Sequence, residues 1–179
     1  MKRILAVGAI CLALSACSGT PDAAVSPSVS VTAGTPTPSV SDPAKDPLYL
    51  EAVEVYEKYL AESFKLERAG GAATLPAVFD DFLVGTYRDT IEELYQKTSE
   101  AEIWMAASPD PKVRFGSLPG VSRSGSDVAL EVCVDATGVD ILGPGNEVVH
   151  RGALIHRQLF FSRSKDGVLR ASSGSAKGV

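Results

Sequence analysis

The sequence predicts an α+β domain, with helices first and a meander of antiparallel strands after them. Three observations predict it. Apolar residues recur at helical spacing through the first part of the domain, from Pro47 to about Tyr95. Beyond Ile103 the period changes from 3.6 to 2, most clearly over Asp127–Ala136. Turn residues then punctuate the second half, in a Gly- and Pro-rich loop and at Lys165-Asp166-Gly167. Helices segregated from antiparallel strands are the pattern of an α+β fold. The 133 residues of 47–179 suit one hydrophobic core.

Asp46-Pro47 predicts a helix start, with a carboxylate at the N-cap and proline at the first helical position. Tyr49, Ala52, Val53, Tyr56, Leu60, Ser63 and Phe64 follow on one face, and Gly70-Gly71 ends the helix. Thr74–Val84 predicts a short second helix begun by Pro76 and interrupted at Gly85. Thr86 caps a third, whose expected buried face is Tyr87, Ile91, Leu94 and Tyr95. The expected strands are Ile103–Ala106, Lys112–Leu118, Asp127–Ala136, one long strand over Val149–Ser164, and Val168–Ala176. In Asp127–Ala136, Val128, Leu130, Val132 and Val134 alternate with Ala129, Glu131, Cys133 and Asp135. The valine and leucine side is expected to meet the helices, leaving the carboxylates on solvent or the rim.

The N-terminal segment predicts export. Met1-Lys2-Arg3 is a basic start and Ile4–Leu14 an uncharged apolar run, far short of the roughly 20 residues that span a bilayer. Leu14-Ser15-Ala16-Cys17 then reads as a lipobox, so 1–16 is expected to be a lipoprotein signal peptide and Cys17 the lipidated first residue. Two acyl chains on Cys17 give a lasting anchor, because each buried methylene contributes about 0.8 kcal/mol and one chain alone binds reversibly. Residues 17–46 are rich in Ser, Thr, Pro and Ala with no aromatic residue, the composition of a disordered linker. No other stretch is long and apolar enough to enter a bilayer. The expected location is the outer face of the cytoplasmic membrane.

Removal of Lys2 and Arg3 with the signal peptide leaves fifteen basic against twenty-two acidic side chains, a net charge near −7. That balance argues against nucleic acid and against adhesion to anionic headgroups. Cys11 leaves with the signal peptide and Cys17 is taken by lipid, so Cys133 is alone, expected buried and inert, with no base supplied nearby in sequence. His150 and His156 lack metal-ligand spacing to each other or to Cys133, and Asp135, Asp140, Asn146 and Glu147 lack the calcium-loop pattern. Neither a G-x-S-x-G elbow nor a glycine-rich phosphate loop occurs. No catalytic set, metal or cofactor is expected.

Val132-Cys133-Val134-Asp135, the Gly-rich loop after it, and Asp166-Gly167-Val168-Leu169-Arg170, in this order of elements, resemble the nuclear transport factor 2-like superfamily of cone-shaped domains. That superfamily includes ketosteroid isomerases and polyketide cyclases. The likeness is closest to its small secreted or lipid-anchored actinobacterial members and spans Leu48–Val179. Two positions depart from those relatives. Val168 stands where they commonly carry Trp, and no final cysteine is present to partner Cys133, which leaves that thiol free or the chain shortened.

The resemblance implies a carboxylate base with Tyr or His donors on the concave sheet face, with Glu131, Asp135, Asp140, His156, Tyr87 and Trp104 as candidates. It also implies an apolar cone, for which Tyr56, Tyr87, Trp104, His156 and Phe160 are the expected lining, and a homodimer through the open sheet face. The expected function is that of a membrane-anchored envelope lipoprotein presenting a non-catalytic binding or interaction domain to an envelope protein or small ligand. The alternatives are a small-molecule carrier, an isomerase- or cyclase-like enzyme using the cone, and a phage-type exclusion lipoprotein with a filled cone.

Overall fold

Asp46 starts the first helix, its carboxylate accepting a hydrogen bond from the Leu48 amide at 2.9 Å. A computed structural model describes residues 45–123 and 125–178. The expected signal peptide, the lipobox, Cys17 and the linker through residue 44 lie outside the described residues.

Helix α1 (Pro47–Arg68) buries Ala52, Tyr56, Tyr59, Leu60 and Ser63, a stripe at three- and four-residue steps. Tyr59 belongs to that stripe although the expected face omitted it. Gly70 and Gly71 follow with φ of 85° and 78°, left-handed conformations that end the helix as expected. Gly71 also permits a close helix approach. A Cβ there would lie 2.3 Å from the Tyr95 carbonyl oxygen.

The expected second helix is corrected to a short 3-10 turn, Ala77–Asp81. The chain has to become extended at Phe82–Val84, because Leu83 forms a parallel bridge to Ala171. The Ala171 amide donates to Phe82 O at 2.8 Å and the Val84 amide to Ala171 O at 3.0 Å. Helix α2 (Gly85–Glu100) therefore begins one residue before the expected Thr86 cap and has no side-chain cap. Ile91 and Tyr95 are buried in it, whereas Leu94 is 49% exposed, contrary to the expected face.

Seven strands follow: β1 (Trp104–Met105), β2 (Lys112–Ser117), β3 (Val128–Asp135), β4 (Asp140–Leu142), β5 (Val148–Arg151), β6 (Leu154–Arg163) and β7 (Leu169–Gly178). They form two antiparallel sheets, ordered β1-β4-β5 and β2-β3-β6-β7. The protein is thus α+β, with two helices and two antiparallel sheets. The single strand expected over Val149–Ser164 is instead two strands that serve different sheets. The break is at Gly152, where a Cβ would meet the Ala136 carbonyl oxygen at 2.3 Å. There the Gly152 amide donates to Val139 O at 2.8 Å, and the Ala136 amide to Ala153 O at 3.1 Å. The Gly-rich loop also holds a strand, β4, that alternation alone did not disclose.

The faces of β3 fall as expected. Leu130, Val132 and Val134 join Ala52, Tyr56, Leu60, Leu159 and Phe161 in the core, and Glu131 is exposed. Aromatic rings fill the centre: Tyr56 stacks on Tyr59 at 5.1 Å and meets Phe115 and Phe161 edge-on, and Tyr59 meets Phe79 at 5.9 Å. Arg163 clamps the end of β6 to the start of α1 through both oxygens of Glu51, at 3.0 and 2.6 Å.

Candidate functional site

The buried stripe of α1 does not stay apolar. One, two and three turns past Tyr56 it continues as Tyr59, Ser63 and Glu67, in phase with the core. On β6 the side that carries Leu159 and Phe161 into the core also carries Arg157. Between these two polar rows the packing leaves a cavity of about 170 Å³. Tyr59, Ser63, Glu67 and Arg157 line it together with apolar side chains that include Leu60, Phe64, Met105, Val134, Val139 and Ile155. Most of its wall is apolar and its few polar groups converge, which is the usual make-up of a small-molecule site.

Arg157 is the charged centre. Arginine stays protonated in proteins, so a full positive charge is held under the helices. The phenols of Tyr56, Tyr59 and Tyr87 interact with it electrostatically. Its Nε, like Tyr56 Oη and Ser63 Oγ, is buried with no hydrogen-bond partner at bonding distance. Unpaired buried polar atoms are uncommon and costly. Two of them, Arg157 Nε and Ser63 Oγ, belong to residues of the cavity wall and mark unfilled bonding capacity there.

Glu67 is the other ionisable group in the wall. The Tyr95 hydroxyl donates to its Oε1 at 3.3 Å. Burial pushes its carboxyl above the ordinary carboxylate range, against the opposing pull of Arg157, the Tyr95 hydroxyl and Arg68. Burial also pushes the Tyr87 phenol up to about 12, and raises Tyr56, Tyr59 and Tyr95. These phenols are therefore neutral donors at physiological pH. Chemically the chamber offers a fixed cation, a carboxyl able to hold or release a proton, and several hydroxyls.

The expected lining residues are scattered. Tyr56 and Tyr87 are brought to Arg157, but neither faces the cavity itself. Tyr87 borders an open surface pocket of about 440 Å³ with Thr86, Thr90, Arg123, Ser172 and Ser173. Trp104 lines an adjoining apolar surface groove of about 440 Å³ with Leu94, Ile103, Val149 and His150, and Glu67, Met105 and Ile141 border both the groove and the cavity. His156 and Phe160 lie on the side of β6 opposite Arg157, His156 exposed and Phe160 buried outside the main core.

Of the carboxylates suggested by the resemblance, Glu131 is exposed, and Asp135 and Asp140 have local partners. Asp135 accepts from the Thr137 hydroxyl at 2.7 Å and the Thr137 amide at 3.1 Å, which hold it below its ordinary value. Asp140 pairs with Arg151 at 3.3 Å. Cys133 is a half-buried free thiol. The sequence offered it no neighbouring base, but strand pairing supplies one, with His156 Nε2 4.0 Å from Cys133 Sγ. Among the described residues, no three His, Cys, Asp or Glu side chains come together to hold a metal ion.

Glu67 and Arg157 were missed as site residues. A signal existed for each: Glu67 falls four residues after Ser63 on the buried stripe, and Arg157 alternates in phase with Ile155, Leu159 and Phe161. A charge in phase with a core stripe is rare enough to flag. No protein-family model matches the chain, and the search of curated proteins found no match.

Proposed function

We propose that the protein is a bacterial envelope lipoprotein, anchored through a diacylglyceryl group on Cys17, whose α+β domain is a nuclear transport factor 2-like cone that binds a small ligand. The observation that carries the binding reading is the 170 Å³ cavity with Arg157, Glu67 and Ser63 converging on it. The order of two helices before antiparallel sheets supports the cone assignment, and the basic start, apolar run and lipobox support the anchor. The lipid, a Ser-, Thr- and Pro-rich linker and an acidic domain together present the cavity beside the membrane without electrostatic adhesion to it. The cavity weighs against the exclusion-lipoprotein reading, which calls for a filled interior.

A second reading has its own observation. Glu67, raised by burial and held beside the Tyr95 hydroxyl, has the properties of a general acid or base in an isomerase- or cyclase-like enzyme.

Native mass spectrometry of the whole protein, purified gently from its bacterial host, tests both halves of the main reading. The expected result is a chain beginning at lipid-modified Cys17 that carries an extra small mass lost on denaturation. A bare folded chain would overturn ligand binding. Cys17→Ala provides the separate test of location: the variant should leave the membrane fraction, and its retention there would remove the anchor.

A further inference from the structure

We propose that the occupant of the cavity is a small organic monoanion, a carboxylate on an apolar body, seated with its charged end on Arg157. This inference rests on the binding reading above and names the ligand class for the same site.

Arg157 places a permanent cation in the wall of a mostly apolar chamber, and among the described residues no carboxylate forms an ion pair with it. Its neighbours there are neutral phenols and the Glu67 carboxyl, which burial pushes toward its neutral form and which lies beyond ion-pair distance. A buried charge without a counter-charge is strongly unfavourable. By contrast Arg163, on the same strand, takes Glu51, and Arg170 on β7 takes Asp166. Arg157 is left facing the cavity with Nε unbonded. A carboxylate would provide the missing negative charge, and the fork of a guanidinium suits its two oxygens.

Shape and the remaining wall narrow the class. In the same wall, Phe64, Met105, Val139 and Ile155 provide an apolar surface for a hydrocarbon body. Size limits that body, since apolar protein cavities of about 150 Å³ accommodate benzene, and this one is about 170 Å³. Glu67 in the same wall disfavours a dianion such as a phosphate monoester, because the second charge would face a carboxyl. Ser63 Oγ, buried without a partner, is left to donate to the second carboxylate oxygen.

Isothermal titration of the whole lipidated chain in nanodiscs, with empty nanodiscs as the blank, tests the assignment. The probes are benzoate and hexanoate, their neutral counterparts benzyl alcohol and hexanol, the cation benzylamine, and inorganic phosphate. At least one carboxylate is expected to bind, with its neutral counterpart weaker by about tenfold or more and benzylamine and phosphate weaker still. Arg157→Met should abolish that preference, and Arg157→Lys, which keeps the charge, should retain part of it. Near-ultraviolet circular dichroism of each variant confirms that it is folded. Equal binding of the alcohols, or an unchanged preference in folded Arg157→Met, would overturn the anion assignment while leaving ligand binding intact. Failure of every probe would overturn the assignment as well, and the bound mass described above would still judge the binding reading independently.

Discussion

Glu67 is the residue on which burial acts most visibly. Its carboxyl faces Arg157 from β6, the Tyr95 hydroxyl from α2 and Arg68 on its own helix, yet desolvation dominates and raises its pKa. In the unfolded chain it ionises near pH 4.3. Between that value and its higher folded value the native state holds the extra proton, so this group's contribution to stability is present at low pH and lost as pH rises. Glu67→Gln keeps an acceptor for Tyr95 and removes the titration. Thermal melts should therefore show the variant gaining on the wild type as pH rises from 4 to 7, with little difference at pH 4. A constant difference across that range would show that Glu67 is not desolvated. Glu51, Glu92 and Asp166, all lowered by hydrogen bonds, work in the opposite direction in both proteins and cancel in the comparison.

At the scale of elements, glycines and caps set the boundaries. Gly71 has φ of 78° and a Cβ position 2.3 Å from Tyr95 O, so Gly71→Ala must both strain the backbone and part α1 from α2. A loss of at least about 2 kcal/mol is expected in denaturant titration. Gly167 has a similar φ of 83° but open space around its Cβ position, and Gly167→Ala should cost only about 1 kcal/mol. Equal losses would contradict the close approach. Asp46→Ala removes the cap of α1 and should cost about 1 kcal/mol by the same method.

These same elements show what the sequence made legible. Asp46-Pro47, Gly70-Gly71, the alternation of β3 and the Lys165-Asp166-Gly167 turn are local signals, and each was realised where the sequence placed it. The misses are non-local. Leu83 leaves helical geometry to meet Ala171, nearly ninety residues on, and the strand expected over Val149–Ser164 breaks because Gly152 packs on Ala136. Local periodicity contains neither contact. The cavity falls between these cases: Glu67 and Arg157 each kept the phase of a core stripe, but only the packing of α1 against β6 brought them to one chamber.

The whole molecule combines an acidic domain, an anchor expected at Cys17 and a chamber with one cation, Arg157, in its wall. The polar groups in that chamber contribute poorly to folding. Replacing a buried charge by an apolar side chain of similar volume is often neutral or stabilising, so Arg157→Met should melt no lower than the wild type in the absence of ligand. A large loss of stability would instead make Arg157 a structural residue held by its tyrosines.

The central claim is that the cavity holds a ligand on Arg157. A high-resolution crystal structure of the protein purified from its own host tests it most directly. The account predicts non-water density in the chamber between Phe64 and Ile155, with two oxygens against the Arg157 guanidinium. Ordered waters alone, bridging Arg157, Ser63 and Glu67, would contradict it.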